Sequence, residues 1–220
     1  MANVVVFMVP ELEVSEDHVK DGLRSLLHTI LFSRSLGPIE TSVKTCDFFA
    51  VSYCTTNNPE EKQLVDSSIG RFQTSIARSS NELVKDCFIV EFFETVTESG
   101  FLGVGTRTKR LLWEQWKIPV RVHRNSATKK SASYDDGPGR AGALIMEERK
   151  QQRIGESAVQ KGIVYIVDAV NRRVDHLPTR KLTSLMESKT YDCNIVLHSE
   201  QVVSKESNLK PLMQSLSFRF

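Results

Sequence analysis

Phe88-Ile89-Val90-Glu91-Phe92-Phe93, Ser99-Gly100-Phe101-Leu102-Gly103-Val104-Gly105 and the run from Leu112-Trp113-Glu114-Gln115-Trp116 to Val122 decide how this chain folds. The outer two runs alternate and are rich in β-branched and aromatic residues, which predicts two strands of a meander with one covered face. The glycine-rich run between them has two readings. Glycines after a strand can cradle a phosphate, whereas Phe101 and Leu102 presented on a loop make a hydrophobic finger.

Phosphate-binding grammar argues against the first reading. Gly100, Gly103 and Gly105 do not have the G-x-G-x-x-G spacing, and Thr106 stands where a Walker loop needs its lysine. The following Arg107-Thr108-Lys109-Arg110 leads into a strand, so no helix N-terminus points at the loop. A nucleotide-binding enzyme using residues 100–105 is kept only as the alternative from another class. The finger reading gives Phe101 and Leu102 a downstream protein, or a weak membrane contact, as its target.

Working outward, Val4 to Val9 reads as a buried strand bounded by Pro10. Ser15 reads as a helix cap, with His18 where a capping box has Glu. Val19, Leu23, Leu26, Leu27, Ile30 and Leu31 then recur at helical spacing until Gly37-Pro38. Residues 39–45 read as irregular, Phe48 to Cys54 as a strand, and the stretch from Glu60 as a second helix entered through Pro59. Asn125 to Gly142 is dominated by Ser, Lys, Asp and Gly, and reads as a mobile loop. Leu144 to about Asp175 is a third, long helix, apolar almost all round from Ile163 to Val170, so further chain is expected to cover it. Tyr191 to His198 is a last clear strand. This order predicts an α+β fold in one domain spanning 1–220, with a meandering, mainly antiparallel sheet and three helices on one face.

Composition bounds the function. A net charge of +2 in 220 residues gives no bulk attraction for nucleic acid. The alternation also puts Trp113 and Trp116 on opposite faces, so no stacking platform for bases is expected. Arg107, Lys109, Arg110, Lys117, Arg121 and Arg124 read first as a solvated sheet edge, and second as a surface for an acidic protein or a phosphoinositide headgroup. The cysteines, Cys46, Cys54, Cys87 and Cys193, include no C-x-x-C pair and read as free structural thiols in a reducing compartment. The five histidines share no metal-ligand spacing, and His28 on the apolar first helix reads as a structural histidine bonded to a nearby carbonyl. No catalytic constellation, metal set or cofactor motif emerges. The first ten residues are apolar but lack a basic n-region, and no run reaches the roughly 18 apolar residues of a membrane span, so the expected location is cytoplasmic.

Four stretches together carry a family resemblance. They are Leu26-Leu27-His28-Thr29-Ile30-Leu31-Phe32-Ser33-Arg34-Ser35-Leu36-Gly37, Cys46-Asp47-Phe48-Phe49, Leu112-Trp113-Glu114-Gln115-Trp116, and Val167-Asp168-Ala169-Val170-Asn171-Arg172 before Leu177-Pro178. In order and spacing the chain resembles the HORMA-only subunits of the autophagy-initiating kinase complex. The resemblance implies a HORMA domain whose C-terminal safety-belt segment is in the open arrangement. It also implies a non-catalytic adaptor, without cofactor, that pairs with and stabilises the HORMA domain of the scaffold subunit. Other proteins of the initiation complex, and a place at the preautophagosomal structure, follow from the same resemblance. Leu31, Phe32 and Arg34, with one face of the long helix, are the residues then expected to meet the scaffold. The family's finger carries adjacent Trp, Pro and Phe, and this chain departs from it, having Phe101-Leu102 in that loop and no tryptophan before Trp113. A checkpoint-type HORMA adaptor, whose belt closes round a peptide, is the alternative within the fold.

Overall fold

In the computed structural model, which describes residues 4–35, 39–99, 106–124, 138–178 and 191–198, ten elements follow one another. They are β1 (Val5–Met8), β2 (Leu12–Ser15), α1 (Val19–Ser33), β3 (Thr41–Thr45), β4 (Ser52–Thr56), α2 (Pro59–Arg78), β5 (Leu83–Ser99), β6 (Thr106–His123), α3 (Pro138–Arg172) and β7 (Asp192–His198).

β5 and β6 form the long antiparallel ladder that the alternation predicts, from Leu83 opposite His123 to Ser99 opposite Thr106. β7 adds antiparallel to the free edge of β5. On the other side β1 and β2 pair in parallel with successive parts of β6, so the order is β1-β6-β5-β7 with β2 also paired to β6. Pro10, which has no N–H to give a ladder, lies between these two short strands. Glu114, Trp116, Ile118, Val120 and Val122 all face the core, as do Val84, Phe88, Val90 and Phe92 opposite them. Helix α2 closes on this face through Phe72, whose ring meets Phe88 edge-on at 5.2 Å.

α2 starts as its sequence suggests. Asn58 accepts the Glu60 N–H at 2.9 Å, and Pro59 occupies the first turn where its missing N–H costs nothing. α1 starts later than expected, at Val19, because Ser15 ends β2 and its hydroxyl meets His18 Nδ1 at 3.0 Å across a tight turn. α3 packs on α1 and β2 at close range. A Cβ on Gly162 would lie 2.7 Å from Leu26 Cδ2, so a larger residue there would have to displace that buried leucine methyl where α1 meets α3.

Three expectations are corrected. Residues 41–45 are not irregular but form β3, paired with β4, and the strand expected from Phe48 begins only at Ser52. The long helix reaches back to Pro138, into the segment assigned to a mobile loop; residues 125–137 lie outside the described residues. Trp113 and Trp116 do not part company across the sheet. Phe92 pairs with Glu114 and Phe93 with Leu112, which leaves Trp113 as an extra residue in β6. This bulge turns its ring to the covered side, 4.7 Å from Tyr191.

Candidate functional site

The end of α1 is the first place to look for a partner surface, and the chain itself uses most of it. Leu31 is 3% exposed and belongs to the core. Arg34, at the C-cap, is equally buried and donates from Nε and Nη2 to the two oxygens of Glu114 at 2.8 and 2.9 Å. Trp116 Nε1 donates to the same carboxylate at 2.5 Å, and His176 Nε2 lies 2.5 Å from its other oxygen. The guanidinium also sits over the Trp116 ring, and Phe7 stacks on that ring at 4.2 Å between centroids. Of the three residues expected to meet the scaffold, only Phe32 keeps a partly exposed side chain. Leu31 and Arg34 present no surface, because the core and Glu114 take them.

This cluster was legible in part. Glu114 shares the alternation of Trp116, Ile118 and Val120, and a lone carboxylate on an apolar strand face demands buried partners. Nothing in the sequence points to Arg34, which is 80 positions away, or to His176 beyond α3. His176 fixes the chain leaving α3 against β6, with its ring between Phe7 and Trp113 at 5.8 Å from each. With both carboxylate oxygens occupied, Glu114 is a structural tie rather than a base.

The long helix offers the more open surface. Its apolar stretch was expected to be covered on all sides, yet Val164 is 68% and Val167 47% exposed while Ile166 is fully buried. About three and five turns earlier the same side carries exposed Arg153 and Met146, and Lys161 falls between them and Val164. An apolar strip flanked by cations is thus left open on a helix whose other face is anchored to α1.

The basic residues of β6 are largely spoken for. Arg110 pairs with Asp192 of β7 at 2.7 Å and lies over the Phe93 ring, Arg121 pairs with Glu11, and Arg124 with Glu16. The solvated-edge reading is corrected for Lys117 and Arg121, because β1 and β2 pair with that part of β6 and leave it inside the sheet. Phe101 and Leu102, and the glycine loop 100–105 itself, lie outside the described residues; the strand that opens at Thr106 leaves no helix N-terminus on the loop's far side. All four cysteines are free. Burial pushes the Cys46 thiol up to about 11 and that of Cys193 to about 12, so both stay protonated at neutral pH. Among the described residues no cluster of His, Cys, Asp and Glu could hold a metal ion, and no helix is long and apolar enough to cross a membrane.

Comparison with known proteins adds a family. The family model described as Autophagy-related protein 101 matches residues 11–184. The chain is similar to the Autophagy-related protein 101 of Arabidopsis thaliana, 30% identical over 183 residues that cover 80% of each protein. It is also similar to the proteins of that name in Bos taurus and Homo sapiens, each 22% identical over 186 residues, covering 77% of this chain and 73% of theirs.

Proposed function

The chain belongs to the autophagy-related protein 101 family, and from that premise we propose that it is a non-catalytic adaptor that heterodimerises with the HORMA domain of the autophagy scaffold subunit. The observation that carries this reading is the open apolar strip of α3. A valine 68% exposed, with a second 47% exposed one turn on, is costly to leave in water and is what a helix-face interface uses. Phe32 at the end of α1 adds a partly exposed aromatic to the surfaces a partner can reach. Pairing stabilises the scaffold domain by mass action, since a partner that binds only the folded form shifts its unfolding equilibrium.

Recruitment of later autophagy factors is the second half of the role, and Phe101 and Leu102 are the residues to which it is assigned. The protein then works in the cytoplasm, at the preautophagosomal structure. Co-expression of the full chain with the scaffold's HORMA domain tests the pairing. Val164→Asp with Val167→Asp should abolish co-purification while the isolated variant keeps its melting temperature; undiminished co-purification would remove α3 from the interface.

A further inference from the structure

From the exposed valines of α3 towards the start of that helix, a groove of about 710 Å³ runs between α3 and the residues that enter β2. α3 supplies one wall. Met146, Arg149, Arg153, Ser157 and Lys161 recur at steps of three and four residues, with Lys150 beside Arg149, which sets them on one face of the helix. Met146 is 68% exposed, while Ile154 and Ala158, both partly buried, give the groove an apolar floor.

The charge of the lining is one-sided. The cations Arg149, Lys150, Arg153 and Lys161 stand against the carboxylates of Glu11 and Glu13, and four against two leaves the lining two positive. Both carboxylates are already engaged from the β6 side, Glu11 by Arg121 at 2.9 Å and Glu13 by His123 Nε2 at 2.7 Å. Lys150 reaches Glu147 of its own helix at 3.6 Å. Arg149, Arg153 and Lys161 have no ion pair among the described residues. Of the other acids on this part of α3, Glu148 does not line the groove, and Glu156, also outside the lining, accepts the Ala50 N–H at 3.2 Å.

The spacing of these cations selects the size of the ligand. Arg149 and Arg153 are one helical turn apart, about 6 Å along the axis, and Lys161 lies about 12 Å further on. No small anion spans that distance. An extended peptide of about six residues does, at roughly 3.3 Å per residue. A membrane surface fits less well, because the broad anionic plane that meets the cations also meets Glu11 and Glu13 on the far wall.

We propose that this groove docks an acidic peptide segment of another protein, with carboxylates on Arg149, Arg153 and Lys161 and an apolar side chain set against Met146, Ile154 and Ala158. The pairing proposed above uses the valines further along α3, and the groove does not depend on it.

The full chain, labelled at its methionine methyl groups for NMR, is titrated with the heptapeptide Glu-Asp-Leu-Glu-Asp-Leu-Glu and, separately, with Gln-Asn-Leu-Gln-Asn-Leu-Gln. No HORMA partner is present, so the result is read independently of the scaffold pairing. The Met146 signal, identified by its loss in Met146→Leu, should shift saturably with the acidic peptide and not with the neutral one, and the affinity should fall as salt is raised. Arg149→Gln with Arg153→Gln should weaken binding about threefold to thirtyfold, as loss of two exposed ion pairs does. Lys44→Gln with Lys62→Gln removes the same charge from another part of the surface and should leave binding unchanged. All four side chains are exposed, so both variants keep the fold, and an unchanged melting temperature checks that. The proposal is overturned if the acidic peptide leaves Met146 unmoved, if the neutral peptide binds as well, or if the two double variants weaken binding alike. Vesicles containing phosphatidylserine are the competing ligand, and a Met146 shift with them but not with the acidic peptide would assign this face to a membrane instead.

Discussion

Two polar regions sit at either end of the same stretch of α1, one around Arg34 and one around His28, and they are solved in opposite ways. At Arg34 the chain closes every bond: Glu114 takes two from the guanidinium, one from Trp116 and one from His176, with its side chain fully buried. At His28 the chain brings a buried imidazole and phenol together and leaves their polar atoms facing a cleft. Burial alone therefore does not tell a closed cluster from an open one. What separates them is whether the chain supplies the last hydrogen bond.

The closed region should break hardest. Glu114→Ala leaves Arg34 and His176 without their acceptor, and removing one partner of a buried pair costs about 3–5 kcal/mol. In a chain of this size that lowers the melting temperature by roughly 6–20 °C, which a thermal melt followed by circular dichroism reads directly. The comparison sharpens if the charge is removed from both sides. Glu114→Leu with Arg34→Met trades a desolvated ion pair for apolar packing, and should recover most of the loss, ending within about 2 kcal/mol of the parent. A double variant as unstable as Glu114→Ala would mean that His176, or the bond to Trp116, and not the ion pair, carries the cluster.

The open region has a smaller effect that depends on pH. His28 has a folded pKa of about 4 against an ordinary 6.5, so as pH falls below 6.5 the unfolded chain takes up its proton first. The stability contributed by the neutral ring is present above pH 6.5 and is lost as pH falls towards 4. Its size is on the order of 1–3 kcal/mol. His28→Phe has no proton to bind, so urea titrations at pH 7 and pH 4.5 should show a smaller loss of stability in the variant than in the parent. Equal losses would mean that His28 is solvated enough to titrate normally in the folded chain.

Much of this fold can be read from periodicity, and the places where reading fails have physical causes. β5, β6, β7 and the apolar faces of α1 and α2 announce themselves because burial on one side leaves a repeat in the sequence. β3, Thr-Ser-Val-Lys-Thr, is exposed along most of its length and leaves none, even though it pairs residue by residue with β4. The start of α3 is hidden by Gly137-Pro138-Gly139, which reads as a breaker although proline is well tolerated in a first helical turn. Strict alternation puts Trp113 on the wrong face because a bulge changes the period by one residue at Phe92 and Phe93. The site residues were harder still. Arg34 looks like a surface charge at a helix end, and His28 like a satisfied core histidine, until strands distant in sequence show that the first has its partner and the second does not.

The smallest expected change in stability gives the most direct test of function. Val164 is so exposed that Val164→Asp should shift stability by about 0.5 kcal/mol or less, yet a carboxylate there would have to be desolvated in any interface formed by the α3 strip. Arg34→Asp would also abolish co-purification, but by dismantling the Glu114 cluster, so its loss of binding says nothing about contact. Measuring the melting temperature and the co-purified scaffold domain on the same preparations separates the two. Val164→Asp should keep the first and lose the second, whereas Arg34→Asp should lose both. If Val164→Asp keeps both, the partner binds elsewhere, and Phe32→Asp, at a partly exposed position on α1, becomes the next variant to measure.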